Sequence, residues 1–289
     1  RDPLWSRGLG DVYKRQFLVR HGQTTSNAIH ALDTALPGAS LTDLGWQQAA
    51  EAGQWLTERT QRLKIVSSFA ARAQQTAVGV AGAFGGELVP AAFSRGELLD
   101  DAAACDNATD HTKASLQRLP RVSEIPAGQY EMKNDEDSHE AYHSILGAWM
   151  LGKVDKAVPG GLSGAEVLRE YLATLLGALA ENQAANAATD EAAADVALVS
   201  HGAVIRLVAR FLGGVDPEWA FMHYLANGNV ITLRVPDNIG ELADVAVGRP
   251  GASQSKSAAG NNAAGATQSG VLDSLEGAFE VLGWGAATL

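Results

Sequence analysis

Two histidines in this chain stand just past apolar runs: His21 in FLVRHGQTTSN and His201 in DVALVSHG. Arg20 adjoins the first, and Arg72 lies in a third segment of the same type, SSFAARAQQTA. Guanidinium forks match the oxygens of a phosphate. Helix N-termini following such strands add amide donors and partial positive charge. Two arginines and two imidazoles therefore suit phosphate chemistry. No serine sits in a G-x-S-x-G elbow, and a histidine is itself a competent nucleophile.

These groups need a scaffold that carries them to one place. Residues 17–19, 64–68, 195–200 and 228–235 read as strands, and residues 278–285 alternate like a last one. Helical patterns fill the spaces between them. Residues 41–59 open with Thr42 as N-cap and carry Trp46, Ala49, Gly53 and Leu56 on one face. Residues 71–84 form a small-residue helix able to pack closely on a sheet. Residues 138–152 place Tyr142, Ile145, Leu146, Trp149 and Met150 together, and residues 164–181 and the run after Gly202 supply two more helices. Alternating strands and helices predict an α/β layered fold with a mostly parallel sheet. In such a fold, ligands sit beyond the carboxyl ends of the strands. Arg20-His21 and Ser200-His201 both occupy such ends and can share one crevice.

The chain has 289 residues, 46% hydrophobic and 19% charged, with a net charge of −11. The acidity argues against a general nucleic-acid or anionic-membrane surface. No apolar run approaches the roughly 18 residues of a membrane span. The one cysteine, Cys105, excludes an internal disulfide and fits a reducing, cytoplasmic setting. Residues 1–16 lack any period, and SRGLGDVYKRQ reads like the translation of a transposon-end sequencing adapter, so they are set apart as non-native. Residues 237–277 are rich in Ala, Gly, Ser, Asn and Gln and read as a largely disordered inserted loop. The expectation is one catalytic domain formed by 17–236 and 278–289.

FLVRHGQTTSN, LTDLGWQQA, SSFAARAQQTA and VSHG, in this order, resemble the signature segments of the histidine phosphatase superfamily, the phosphoglycerate-mutase-like proteins. The resemblance implies a three-layer α/β/α fold and metal-free, cofactor-free phosphoryl transfer through a phosphohistidine. It implies His21 as the nucleophile, with Arg20, Arg72 and His201 on the phosphoryl oxygens and Asn27 as a further polar contact. It implies a carboxylic acid for the leaving group, assigned to Glu124 in VSEIPAGQYEM, with Glu97 in SRGELLDD as its rival. PGGLSGAEV carries Leu162 where the family more often has glutamate, and no Arg-His-Tyr-Gly run of the glycolytic mutases occurs. A phosphatase of a small phosphorylated metabolite is therefore expected over a mutase.

Two other classes compete. HEAYH, residues 139–143, matches the H-E-x-x-H zinc-protease pattern, with His139 and His143 on one helix face and Glu166 downstream as a third ligand. A catalytically silent phospho-ligand binder on the same fold is the other.

Overall fold

The structure, a computed structural model, describes residues 14–99, 115–249 and 268–286. Cys105, residues 1–13 and the middle of the Ala/Gly-rich stretch lie outside the described residues. Eight strands form one sheet: β1 Arg15–Arg20, β2 Arg62–Ser67, β3 Glu87–Leu88, β4 Glu97–Leu98, β5 Gln117–Arg118, β6 Asp195–Ser200, β7 Val230–Arg234 and β8 Glu280–Trp284. Their order is β4-β5-β2-β6-β1-β7-β8, with β3 also pairing β2. The centre, β5-β2-β6-β1, is parallel. β7 and β8 continue it antiparallel.

Helices cover both faces of the sheet. They are α1 Thr25–Ala28, α2 Asp43–Thr57, α3 Ala71–Ala83, α4 Glu136–Met150, α5 Gly164–Ala187, α6 Gly202–Gly213, α7 Pro217–Met222, α8 Ile239–Ala246 and α9 Gln268–Asp273. The period of two along the central strands sorts their side chains into two cores. Phe17, Val19, Ile65, Ala197 and Val199 join α2 and α3 in one core. Leu18, Val66, Val196 and Leu198 join α4, α5 and α6 in the other. Apolar runs buried on both faces are what a covered parallel sheet requires, and the result is the expected three-layer α/β/α sandwich.

Local signals hold where they were read. Thr42 Oγ1 accepts from Gly45 N at 3.1 Å and caps α2. All five apolar residues assigned to the face of α4 are buried. The small residues of α3 do bring backbones together: a Cβ on Gly53 of α2 would stand 2.5 Å from Val80 O. The same device seats the loop after β1, since a Cβ on Gly22 would stand 2.2 Å from Gly45 O. The loop that carries His21 is thereby pressed against the first turn of α2.

Two expectations about extent are corrected. β1 begins at Arg15, not Phe17. Arg15 N donates to Asp195 Oδ1 at 2.7 Å, and Gln16 is fully buried, so Arg15 and Gln16 belong to the sheet. The stretch 237–277 is not disordered at its two ends. α8 opens it, with Ile239, Leu242, Ala243 and Ala246 buried against α5. Their i, i+3, i+4, i+7 spacing is an amphipathic stripe that the composition of the whole segment conceals. α9 closes it, with Leu272 and Leu275 in the core. β8 then pairs with β7, as expected. Among the described residues, no helix is long and apolar enough to cross a membrane.

Candidate active site

Strand register brings the two histidines together. Arg20 of β1 pairs with Ser200 of β6, so His21 and His201 leave the sheet side by side. His21 N donates to Ser200 O at 3.0 Å and extends the ladder by one step. The two ring centroids stand 5.2 Å apart, inclined at 62°. β2 borders β6 on the other side, and Ser68 N donates to Val199 O at 2.9 Å, which places Ser68 beside His201.

His21 Nδ1 lies 2.7 Å from Gly22 O. A carbonyl only accepts, so Nδ1 carries the proton and Nε2 keeps its lone pair. Burial, and then the charges of Arg72 and Arg20, hold this imidazole well below its usual 6.5. His201 is likewise pushed well below that value, by burial first and by Arg72, His21 and Arg20 after it. Its Nε2 lies 2.7 Å from Ser68 Oγ, and its Nδ1 accepts from Arg72 Nε at 3.2 Å. His201 thus stands fully buried behind His21, with both ring nitrogens engaged by protein groups.

The arginines are buried cations with donors to spare. Arg20 donates through one terminal nitrogen to Tyr224 Oη and, at 2.5 Å, to Leu225 O, while its Nε has no acceptor. One terminal nitrogen of Arg72 is also buried without an acceptor. It passes Gly38, whose φ of +72° favours glycine and where a Cβ would stand 2.2 Å from that nitrogen. An unsatisfied buried donor costs about 1–3 kcal/mol, and an oxyanion placed between the two forks satisfies both.

A cavity of about 480 Å³ opens over these groups, lined by Arg20, His21, Asn27, Arg72 and Glu124 among others. Asn27 Oδ1 accepts from Thr24 N and Asn227 Nδ2, so the amide NH₂ is what Asn27 can offer a ligand. Glu124 is held at the start of α6, accepting from Ala203 N at 3.3 Å, Val204 N at 3.1 Å and Ile125 N at 3.0 Å. Its rival Glu97 sits on edge strand β4, exposed and paired with Arg118. The structure therefore brings Arg20, His21, Asn27, Arg72 and Glu124 to one cavity, with His201 behind it, and leaves Glu97 out.

The zinc reading of HEAYH is corrected by the same geometry. His139 Nε2 lies 2.7 Å from His30 O and carries its proton there, so that nitrogen has no lone pair for a metal. Glu166 closes the capping box of α5, bonded to Ser163 N and Oγ. Among the described residues, no three His, Cys, Asp or Glu side chains converge as a metal site. His139 and His143 instead line the wall of the cavity.

Sequence reasoning missed Arg206, Tyr224 and Asn227, which also line it. Asn227 Nδ2 donates to His21 O at 3.0 Å. The loop before β7 carried no pattern that could have singled out Tyr224 or Asn227. Arg206 could have been found: it lies four residues after Gly202, one helical turn past a strand end already read as functional.

The depressed imidazoles carry a stability consequence. Unfolded, His21 and His201 bind protons near the usual 6.5; folded, they bind them only at lower pH. In the window below 6.5 the unfolded chain holds more protons, so stability rises with pH and is lost on acidification. The thermal midpoint should fall as pH is lowered from about 7.5 to about 5. The His21→Asn variant should show a shallower slope by calorimetry, and a flat wild-type profile would contradict this protonation assignment.

A family model described as histidine phosphatase superfamily (branch 1) matches residues 16–93 and 102–247. The PE-PGRS family protein PE_PGRS11 of Mycobacterium tuberculosis (strain ATCC 25618 / H37Rv) is 45% identical over 67 residues, which are 23% of this chain and 12% of that protein. This chain thus spans only a small part of the curated relative it matches. Among solved structures, a mycobacterial glucosyl-3-phosphoglycerate phosphatase is 24% identical with a TM-score of 0.54, over 76% of this chain and 89% of that one. A protein described as mycobacterial hydrolase 2 is 23% identical with a TM-score of 0.55, over 78% and 84%. At these identities the likeness to the solved structures is one of fold.

Proposed function

The chain belongs to the histidine phosphatase superfamily, and from that premise we propose that it hydrolyses the phosphomonoester of a small metabolite through a phosphohistidine on His21. The observation that carries the reading is the arrangement of His21. Its proton is tied to Gly22 O, its Nε2 is free, and two buried guanidiniums with unused donors flank it. Nε2 attacks phosphorus, and the phosphorus–oxygen bond to the alcohol breaks. Arg20 and Arg72 hold the phosphoryl oxygens as charge moves onto them. His201 accepts from Arg72 Nε and so orients that guanidinium; it donates to a phosphoryl oxygen only if its ring proton moves to Nδ1, with Ser68 Oγ then donating to Nε2. Asn27 offers its amide protons to the phosphoryl group.

The departing alkoxide takes a proton from Glu124. In the second half, ionised Glu124 takes a proton from water, which attacks phosphorus and breaks the bond to Nε2. Inorganic phosphate leaves and His21 returns to its neutral form. Phosphate-monoester hydrolysis is among the slowest uncatalysed reactions, with enzymatic accelerations of up to about 10²¹-fold, so no one of these contacts suffices alone. The neighbour described as a glucosyl-3-phosphoglycerate phosphatase lends the reading support by analogy of fold.

The test is release of inorganic phosphate from 4-nitrophenyl phosphate and from a panel of phosphorylated metabolites. Saturable release is expected. A protein that binds phosphate but turns over none of these esters would be the silent binder instead.

A further inference from the structure

Arg206 is a third guanidinium on the cavity, and phosphoryl transfer as derived above does not use it. Resting on that phosphatase reading, we infer that Arg206 recognises a carboxylate on the alcohol part of the substrate, with His143 beside it as a hydrogen-bonding partner.

The placement carries this. Arg206 is half-buried on α6, one turn beyond the amides that hold Glu124. It lines the same cavity as His21. One terminal nitrogen donates to Phe221 O at 2.7 Å and Ala220 O at 3.2 Å, which anchors the fork to α7. Among the described residues its hydrogen bonds go only to those two carbonyls, and its Nε is buried without an acceptor. Among the described residues no acidic side chain forms an ion pair with it: Glu124, whose charge acts on it, bonds backbone amides instead, whereas exposed arginines of this chain have acidic partners. A cation kept in a substrate cavity without a carboxylate in contact is matched by one on the ligand.

The Tyr224 ring is common to the surroundings of both guanidiniums. Arg20 Cζ lies 4.8 Å from its centroid and Arg206 Cζ lies 6.0 Å from it. Both guanidiniums are therefore within reach of a single small molecule.

Charge selects a carboxylate over a second phosphate. His143 is held below its usual value by burial, by His139 and by Arg206 itself. At neutral pH it offers a hydrogen bond and no full charge. Arg206 then supplies one full positive charge, part of which Glu124 already offsets, so a monoanion suits it better than a dianion. A planar fork also meets a planar carboxylate with two parallel bonds.

Three esters of one size separate the outcomes: phenyl phosphate, 3-carboxyphenyl phosphate and 3-carbamoylphenyl phosphate. In the wild type, kcat/KM for the carboxy ester should exceed that for the neutral carbamoyl ester by about tenfold or more, as a charge-assisted hydrogen bond implies. In Arg206→Gln the ratio should fall to within about twofold of one, and Arg206→Lys, which keeps the charge without the fork, should lie between. A wild-type ratio near one, or the same ratio in Arg206→Gln, would overturn the inference while leaving the phosphatase intact. Failure to hydrolyse any of the three would overturn both. A ratio rather than a rate is read because α7 is anchored by Arg206, and loosening it affects all three esters together.

Discussion

His21→Ala should reduce turnover of every phosphomonoester by at least about 10⁴-fold, the scale seen when a covalent nucleophile is deleted. Nε2 of His21 is the free ring nitrogen at the floor of the cavity, whereas both nitrogens of His201 are engaged by Ser68 and Arg72. His201 therefore offers no free ring nitrogen to take over. Rapid quench of the wild type with labelled substrate should trap phosphate in an acid-labile, base-stable linkage on the peptide carrying His21, and the variant should carry none. Phosphate should still bind the variant, because Arg20 and Arg72 remain. Retention of activity, or label on another peptide, would remove the central residue from the proposal.

Glu124→Gln should discriminate among leaving groups. Alkyl phosphates need a proton on the departing oxygen, and a general acid contributes about 10²–10⁴-fold, so their hydrolysis should fall by that range. 4-Nitrophenyl phosphate leaves without help, and its first step should change only a few-fold. Its second step still needs water activated by Glu124, so the phosphoenzyme should accumulate. A burst of 4-nitrophenolate approaching one per active site is the expected signature. Glutamine can keep one oxygen on the amides of Val204 and Ile125 and gives up only the longer bond from Ala203 N, which limits the disturbance to α6. Equal losses for all esters in the first step would move the acid elsewhere. Glu97, exposed at the sheet edge on Arg118, is not positioned to serve.

The pieces of this site were unequally legible. His21 and His201 stood out because an abrupt change from buried strand to polar residue marks a strand end. Glu124 and Glu97 could not be separated, since each follows an irregular segment. What divides them is that one meets the amides at the start of α6 and the other lies on the outer strand. The HEAYH pattern was legible and misleading, because its spacing is satisfied by any helix face and says nothing of a third ligand. Arg206 sits in AVIRLVARF, where a cation every fourth residue reads as a solvated helix edge. Its place one turn past Gly202 was the signal against that reading, and the packing of α7 across it makes the edge a cavity wall. The helix at 239–246 was lost for a related reason: eight ordered residues were averaged with a long stretch of small ones.

By itself, the amino-acid sequence determined the five long strands β1, β2, β6, β7 and β8 and the helices α2 to α6 that cover them. It also determined that cations and imidazoles follow those strands, because burial and turn chemistry are written in local period and residue type. Tertiary structure alone decided that β1 lies beside β6, in a register pairing Arg20 with Ser200, so that two distant imidazoles stand 5.2 Å apart. The periodicity of a strand records that it is covered, not by which neighbour. That choice belongs to the packing of the whole sheet.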